Sequence, residues 1–379
     1  MKRLAFFFLP VFFPGIMLQD NHSIPGTPIS EPQAVQIDGP YVFYKKDKIF
    51  AKYILDSNGN KSVQVDTIEL SNKKSISLHV ATDIPGQTFL VRLKDKLQNE
   101  NCEFERSEKL LAISDIEGDF SSFRQLLQIS GVIDENFNWT FGNGQLVLVG
   151  DFVDRGSQVI ETLWLIYSLE EKAKAAGGYV HFILGNHEII NLSNDLRYVN
   201  PKYMDHARLM HERYEKFFNE NSELGRWLNT KNVVEKIGKQ LFAHGGISDE
   251  VNGLGISVVR INEIARTYYA NSMDESNNQI VSTVLSTKLG PYWYRGYYTG
   301  NNKATQEQVN NIISQFDITN VITGHTVAAD TISVWYKGKV IDLDVHDNGG
   351  RSEALLIEND KYYRLDLKGR KFLLLEVHQ

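Results

Sequence analysis

The chain has 379 residues, of which 42% are hydrophobic and 23% are charged. This composition is typical of a globular protein, and the length is sufficient for a sizeable core. The formal net charge of −7 argues against a surface that coats nucleic acid, which needs an excess of Lys and Arg. The single cysteine, Cys102, excludes an intramolecular disulfide and a CxxC zinc site.

The N-terminal segment, residues 1–25, is predicted to be a secretory signal peptide. Lys2 and Arg3 precede the apolar stretch LAFFFLPVFFPGIML, and a basic start followed by a short apolar region is typical of such signals. The stretch is too short to span a bilayer comfortably, so no transmembrane helix is expected in the mature chain. We therefore expect an exported protein, periplasmic or extracellular. The alternative is a protein anchored by an uncleaved N-terminal segment.

Residues 26–104 are predicted to form a linker and a small β extension. A polar, proline-bearing stretch comes first, and short alternating strands separated by turns follow it from Val35 to Phe104. The pair Asn58-Gly59 is typical of a hairpin turn. This segment contains no convincing catalytic cluster.

Residues 105–379 have a different pattern and are predicted to form the catalytic domain. The strand KLLAIS, an amphipathic helix, the strand QLVLVG, a long helix closed by Gly177-Gly178, and the strand YVHFIL follow one another. A largely helical insertion is expected at about 189–236, and the strands QLFAHGG and NVITGHT and two β hairpins come after it. Alternation of strands and helices predicts an α/β domain built in layers.

Polar side chains follow one predicted strand after another. In open α/β sheets, ligands bind beyond the carboxyl ends of the strands, so we expect five strands to direct these side chains to one rim. The candidates are Asp115, Glu117, Asp151, Asn186, His244 and His325.

These residue types predict a pair of divalent metal ions. Carboxylate and amide oxygens favour Mn- or Mg-like ions, whereas imidazoles suit Zn and Fe. A shared carboxylate can bridge two ions about 3.5–4 Å apart. Mn is the favoured metal, with Fe, Zn and Mg as alternatives. Each fragment alone is a weak signal, since GHT could be a polar turn and HGG a turn that needs glycine. Their occurrence together, each after an apolar run, supports the prediction.

The motifs GDFVDRG, GNHE and HGG resemble the signature of the calcineurin-like metallophosphoesterases, in the phosphoprotein phosphatase branch. The resemblance covers roughly residues 109–350, and GNHEIINLSNDLRYV and GPYWYRGYY further resemble the Shewanella-like protein phosphatases. It implies a layered β-sandwich flanked by helices and a phosphoester substrate.

The resemblance also implies roles for individual residues. Asp151 would bridge the ions, Asp115 and His325 would hold one of them, and Asn186 and His244 the other. His187 would protonate the leaving oxygen, with Asp154 orienting it. Arg155 and Arg295 would bind phosphate oxygens, to which planar guanidinium groups are matched. Arg295 lies among five aromatic residues in PYWYRGYY, and stacking on them is the competing interpretation.

Two positions depart from the family pattern Gly-Asp-x-His-Gly: Ser114 replaces the first glycine, and Glu117 replaces the histidine. This chain has Ser-Asp-Ile-Glu-Gly, so Glu117 stands where the family has a metal-binding histidine. A carboxylate ligand makes the site harder and more negative, which favours Mn-like ions. Asp119 is expected to cap the next helix, and His181 to be a core histidine.

The sequence thus predicts a two-metal phosphoesterase that hydrolyses phosphomonoesters with metal-activated water, with phosphoproteins as one candidate substrate. An exported hydrolase of nucleotides or other phosphoesters is the alternative. A non-catalytic phosphate-binding module on the same fold is a second alternative, against which the retention of His187, Arg155 and all six ligand positions argues.

Overall fold

The structure, a computed structural model, describes residues 35–271, 277–301, 303–345 and 352–376. The predicted signal peptide lies outside these residues. Within the described ranges, no helix is both long enough and apolar enough to cross a membrane.

The predicted N-terminal β extension is present. Three antiparallel strands form a meander, β1 (Val35–Lys45), β2 (Lys48–Ser57) and β3 (Asn60–Glu69). The turn between β2 and β3 has Asn58 at φ 53° and Gly59 at φ 86°, which is the left-handed geometry that this residue pair favours. A short hairpin follows, β4 (Ser77–Ala81) and β5 (Thr88–Arg92).

Strand β1 packs against the remainder of the chain through buried polar and aromatic contacts. Asp38 Oδ2 lies 2.6 Å from His206 Nδ1, and the indole N–H of Trp164 donates to the carbonyl of Pro40 at 2.8 Å. The ring of Tyr41 lies 4.5 Å from that of Phe217. The strand therefore shares its core with the helical part of the chain. The predicted domain boundary at residue 104 stays a prediction.

Six described strands form a first large sheet with parallel strands at one end. In spatial order they are β17 (Lys371–Glu376), β16 (Lys361–Asp366), β15 (Glu353–Glu358), β7 (Lys109–Ile113), β8 (Gln145–Val149) and β9 (Tyr179–Ile183). Strands β7, β8 and β9 are parallel, and the others are antiparallel to their neighbours.

A second large sheet contains six further strands of the described part of the chain. In spatial order they are β13 (Ser333–Trp335), β14 (Val340–Asp342), β12 (Asn320–Thr323), β11 (Gln240–Ala243), β10 (Val234–Ile237) and β6 (Glu103–Phe104). Strands β11, β12 and β14 run parallel.

The two large sheets pack face to face, and the strand period of two explains how. Leu110 and Ala112 belong to an apolar cluster with Phe242 and Ile322 of the second sheet. Leu111 and Ile113, which alternate with them along β7, belong instead to the apolar core cluster that β7 shares with the helices. Both faces of the central strands are therefore buried, as in a sheet covered on both sides. The predicted β-sandwich flanked by helices is confirmed.

The helices connect the strands and cover the outer faces of the sheets. Within the described ranges they are α1 (Phe120–Ile129), α2 (Val159–Ala175), α3 (Asn186–Leu192), α4 (Pro201–Leu209), α5 (Glu223–Leu228), α6 (Asp249–Gly253), α7 (Val258–Thr267), α8 (Gln279–Val284) and α9 (Gln306–Gln315). Asp119 caps α1 as predicted, since its side chain accepts from the N–H of Ser122 at 3.0 Å.

Candidate metal centre and active site

The loops that follow the strands are hydrogen-bonded to one another. The N–H of Asp115, after β7, donates to the carbonyl of Gly150 at 3.0 Å, and the N–H of Glu117 donates to the carbonyl of Asp151 at 2.9 Å. Across to the second sheet, the N–H of His325 donates to Asp115 Oδ2 at 3.1 Å. The structure thus brings the loops of both sheets together at one rim.

The candidate residues have an unusual backbone conformation. Six of them lie in the left-handed region, which non-glycine residues seldom adopt. They are Asp115 (φ 53°), Glu117 (φ 47°), Asp151 (φ 61°), Asp154 (φ 70°), Arg155 (φ 54°) and His325 (φ 70°). Such strain costs about 1–3 kcal/mol per residue and is concentrated at functional sites.

One group of ligand atoms is centred on Asp151. The Nε2 of His244 lies 2.9 Å from Asp151 Oδ2 and 3.1 Å from Asn186 Oδ1. His244 Nδ1 lies 2.7 Å from the carbonyl of Val149, so this nitrogen is the donor and Nε2 of the neutral ring has a lone pair. In this neutral form three acceptor atoms face one another and a metal ion can bind between them, whereas the protonated ring donates from Nε2 to Asp151 Oδ2. The donor set fits a divalent metal ion.

His325 belongs to the same group. Its side chain, with those of Asp151 and His244, offers ligand atoms that all lie within 4.8 Å of one another. His325 Nε2 lies 3.1 Å from the carbonyl of Trp293, which fixes the ring orientation as partners beyond the ligands do in metal sites. The geometry therefore groups His325 with His244, whereas the resemblance implied that it shares an ion with Asp115.

A second group contains Glu117. Its carboxylate, with Asp151 and His187, offers ligand atoms within 4.8 Å of one another. The carboxylate also forms a close ion pair with the guanidinium of Arg155. Burial, followed by the charge of Asp115, raises the pKa of Glu117 to about 7. Glu117 thus occupies the position predicted for a metal ligand, where a bound metal ion and the guanidinium of Arg155 would compete for its carboxylate.

The electrostatics of the rim are those of crowded carboxylates. Burial raises the pKa of Asp115, and the charge of Asp151 adds to this effect. Burial alone would raise the pKa of Asp151, but the positive charges of His244 and His187 hold it below its usual range. Burial alone would lower the pKa of His244, but Asp151 and Asp115 raise it to about 10. The rim therefore attracts cations strongly.

His187 is oriented by a chain of hydrogen bonds. Its Nδ1 lies 2.8 Å from Asp154 Oδ2, and Asn191 Nδ2 donates to Asp154 Oδ1 at 2.8 Å. The hydroxyl of Tyr214 in turn donates to Asn191 Oδ1 at 2.6 Å. Tyr198 covers one side of the imidazole, with ring centroids 4.9 Å apart. The sequence predicted the first partner of this chain but neither Asn191 nor Tyr214.

The two predicted phosphate ligands lie at the exposed edge of the rim. The side chain of Arg155 is 55% exposed, and its guanidinium lies 5.8 Å from the ring of Tyr198. Arg295 is also exposed; its guanidinium donates to the carbonyl of His325 and, at 3.3 Å, to Thr326 Oγ1. Both arginines thus lie next to candidate metal ligands.

Glu188 is a supporting residue to which sequence reasoning gave no role. Its buried carboxylate accepts from the N–H groups of Asp151 at 2.9 Å, Phe152 at 2.7 Å and Gly185 at 2.8 Å. It therefore fixes the loop that carries Asp151. The backbone of Gly185 lies so close to Asp151 that a Cβ on residue 185 would be 2.2 Å from Asp151 Oδ1. Only glycine therefore fits at this position. The motif GNHE was the available signal for Glu188.

Asp344 was also missed. It follows β14 at the same end of the second sheet and is buried. Burial, with the charge of Asp115, raises the pKa of Asp344 well above its usual range. The signal was its place after an apolar strand, in the segment VIDLDV.

The fold and the candidate metal ligands at this rim identify the protein family of the chain. Residues 108–329 match the family model of the calcineurin-like phosphoesterases, and the chain belongs to that family.

Two protein phosphatases of other organisms are similar to part of this chain. The chain is 38% identical over 119 residues to the Shewanella-like protein phosphatase 2 of Arabidopsis thaliana, which covers 31% of this chain and 30% of that protein. It is 28% identical over 245 residues to the Shewanella-like protein phosphatase 1 of Plasmodium berghei, covering 62% of this chain and 66% of that one. The match thus spans less than two thirds of each relative.

A solved structure is similar over nearly its whole length. The crystal structure of a cold-active protein-tyrosine phosphatase from a psychrophilic Shewanella species has a TM-score of 0.78 and 31% identity, and the match covers 89% of this chain and 99% of that one. The homologues and structural neighbours of this chain thus include phosphatases, and they support a metal-dependent phosphoric ester hydrolase.

Proposed function

We propose that this protein is a two-metal phosphoesterase that hydrolyses phosphomonoesters and that its substrates are phosphoproteins. The observation that carries the proposal is the convergence of Asp151 Oδ2 and Asn186 Oδ1 on His244 Nε2, at 2.9 and 3.1 Å. The names of the similar proteins, protein phosphatases in each case, support the choice of substrate class.

The chain offers two overlapping sets of metal ligands that share Asp151. We assign Asp151, Asn186, His244 and His325 to the first set and Asp115, Glu117 and Asp151 to the second. His187, whose ring also lies near Glu117 and Asp151, is assigned to the acid instead. Mn is the proposed metal because the second set consists of carboxylates, which suit hard ions. When bound, such ions lower the pKa of a water towards about 7 and neutralise the charge of the phosphate oxygens.

His187 is the proposed general acid. Because Asp154 accepts from Nδ1 at 2.8 Å, the second ring nitrogen, Nε2, is directed to the site. Burial alone would lower the pKa of His187, but the charges of Asp151 and Asp154 raise it. The raised pKa favours the protonated ring, whose Nε2–H is the proposed proton donor to the departing oxygen of the ester.

Arg155 and Arg295 are the proposed phosphate ligands. A guanidinium group offers several donors in one plane and can bind two phosphate oxygens at once. Arg155 is exposed and adjacent to Glu117, and Arg295 is attached to the segment of His325. They would hold the phosphate from the solvent side.

A metal-supplemented activity screen tests the proposal. Phosphotyrosine, phosphoserine and phosphothreonine peptides, nucleotides, diesters and p-nitrophenyl phosphate are compared with Mn, Zn, Fe and Mg. We expect turnover of phosphopeptides that depends on metal. Faster hydrolysis of nucleotides would support the alternative of a nucleotide or other phosphoester hydrolase. No turnover with metal bound at full occupancy would instead favour a phosphate-binding module.

We also propose that the protein is exported. The basic residues Lys2 and Arg3 before a short apolar stretch support a secretory signal. Mass spectrometry of native material should give a mature N-terminus near residues 18–25 and a periplasmic or extracellular fraction. Native protein that retains Met1 in a cytosolic fraction would contradict this.

A further inference from the structure

A cavity of about 570 Å³ lies beside the candidate active site. Its volume is within the range of about 300–1,000 Å³ that is typical of ligand pockets. The lining residues that matter here are Ile190, Asp195, Arg197, Ala270, Thr287 and Trp293. None of them is a predicted metal ligand or a predicted catalytic residue.

The cavity borders the catalytic rim on two sides. Ile190 lies on α3, three residues after His187. On the other side, the ring of Trp293 packs edge-on against His325, with centroids 5.9 Å apart. At the outer edge, the guanidinium of Arg197 lies 5.8 Å from the ring of Tyr198, which itself covers His187.

The leaving group of a substrate must pass close to this cavity. A general acid acts within hydrogen-bond reach of the oxygen that it protonates, so the chain attached to that oxygen begins next to His187. Because α3 runs from His187 to the wall of the cavity, the residues that flank a phosphorylated residue can enter it.

The lining indicates an uncharged occupant. Trp293 is half-buried and Ala270 is exposed, so both present apolar surface to the cavity, whereas Ile190 is only 3% exposed and contributes little. The charged residues neutralise each other, since Arg197 Nη2 lies 2.6 Å from Asp195 Oδ2. An acidic or basic side chain would gain little there, whereas an apolar side chain would bury its surface.

We propose that this cavity is a subsite for a bulky apolar residue adjacent to the phosphorylated residue of a peptide substrate. The inference rests on the proposed phosphoprotein phosphatase activity and adds a sequence preference to it. The subsite would bind the residue beside the phosphorylated one, whereas the phosphate group itself would be bound by Arg155, Arg295 and the metal centre.

The test compares peptides that differ only beside the phosphorylated residue. Phosphotyrosine and phosphothreonine peptides with leucine at both flanking positions are measured against the same peptides with alanine. We expect kcat/KM to be roughly ten-fold higher for the leucine peptides, the lower end of what a hydrophobic pocket discriminates.

Filling the cavity should abolish the preference. In Ala270→Trp, and independently in Thr287→Trp on another part of the lining, kcat/KM for the leucine peptides should fall to the value for the alanine peptides. Ala175→Trp is the matched control, because Ala175 is exposed at the end of α2. p-Nitrophenyl phosphate, which has no flanking residues, should be hydrolysed equally by all variants.

Three results would overturn the inference. They are equal kcat/KM of the parent for both peptides, a preference that persists in both filled variants, and hydrolysis of p-nitrophenyl phosphate without hydrolysis of any phosphopeptide. If the parent protein with metal bound hydrolyses none of these substrates, the proposed function itself is refuted, and the subsite with it.

Discussion

Asp151 is the residue on which the candidate centre depends most. One carboxylate oxygen accepts from the N–H of His187 at 2.9 Å, and the other faces His244 Nε2 at 2.9 Å. Its loop is fixed in turn by Glu188. A single carboxylate is thus adjacent to both candidate metal groups and to the proposed acid.

The proposed acid can be tested through the leaving group. His187→Asn should lower turnover of esters with poor leaving groups by about 10²–10⁴-fold, the usual contribution of general acid catalysis. p-Nitrophenyl phosphate needs less protonation and should lose less. Steady-state kcat on an alkyl phosphate and on p-nitrophenyl phosphate measures the difference. Equal losses on both substrates would show that His187 supports Asp154 structurally and does not deliver the proton.

Glu117 stands where the motif that this segment resembles has a metal-binding histidine, and its proposed role as a ligand predicts the metal preference. Glu117→Gln should weaken the binding of one ion, because an amide is a poorer ligand than a carboxylate for hard ions. Glu117→His should shift the preference from Mn towards Zn. Metal content and calorimetric affinity for Mn and Zn measure both effects.

Glu263→Gln serves as the control for Glu117, because Glu263 is 55% exposed and paired with Arg260. If Glu117→Gln binds both ions as tightly as the parent does, Glu117 is only the ion-pair partner of Arg155.

At the scale of elements, helix α2 carries a buried acid under the N-terminal extension. Glu161 is 7% exposed, and its Oε2 has no hydrogen-bond partner. Burial, with the charge of Asp38 on β1, raises the pKa of Glu161 to about 8. The extension therefore lies against a carboxyl group that is protonated at neutral pH.

This burial predicts how stability changes with pH. Between the usual pKa of 4.5 and the folded value of about 8, the folded protein holds a proton that the unfolded chain has released. The free energy of unfolding therefore decreases as pH rises through this window. Glu161→Gln should remove that loss and raise Tm more at pH 8 than at pH 5, by roughly 2 °C or more.

Thermal unfolding of Glu161→Gln at the two pH values measures the effect. Glu171→Gln on the same helix is the control, since Glu171 is 62% exposed. An equal Tm change at pH 5 and pH 8 would mean that Glu161 is ionised in the folded protein.

The elements that carry the site could be predicted because their signals are local. Asp115, Asp151 and His244 each follow a short apolar run, and such a run in the sequence is typical of a buried strand. Glu188 and Asp38 could not be interpreted in this way. Glu188 acts on the N–H of a residue 37 positions earlier, and Asp38 contacts a histidine 168 positions later. Periodicity contains no information on contacts across such separations.

At the scale of the whole molecule, the candidate centre joins the two large sheets. Asp115 and Asp151 follow strands of the first sheet, whereas His244 and His325 follow strands of the second. The contacts between them cross the sandwich, as between His244 Nδ1 and the carbonyl of Val149 at 2.7 Å. An ion held by Asp151 and His244 would bind ligands from both sheets, and unfolding of either sheet would release it.

Metal removal should therefore destabilise the whole fold. Ligands that bind only the folded state stabilise it by about 2.7 kcal/mol per site at 100 times Kd. A chelator should therefore lower Tm by several degrees, and Mn should restore it.

Asp151→Asn keeps the shape of the side chain but removes the shared negative charge, so the variant should lose at least one ion and most activity. It should still fold without metal, and its Tm should respond less to the chelator. Glu161→Gln, remote from the ligands, should retain the full response. Thermal denaturation with chelator and with Mn, alongside metal content, measures these effects. A chelator that abolishes activity while Tm stays constant would show that the ions do not hold the two sheets together.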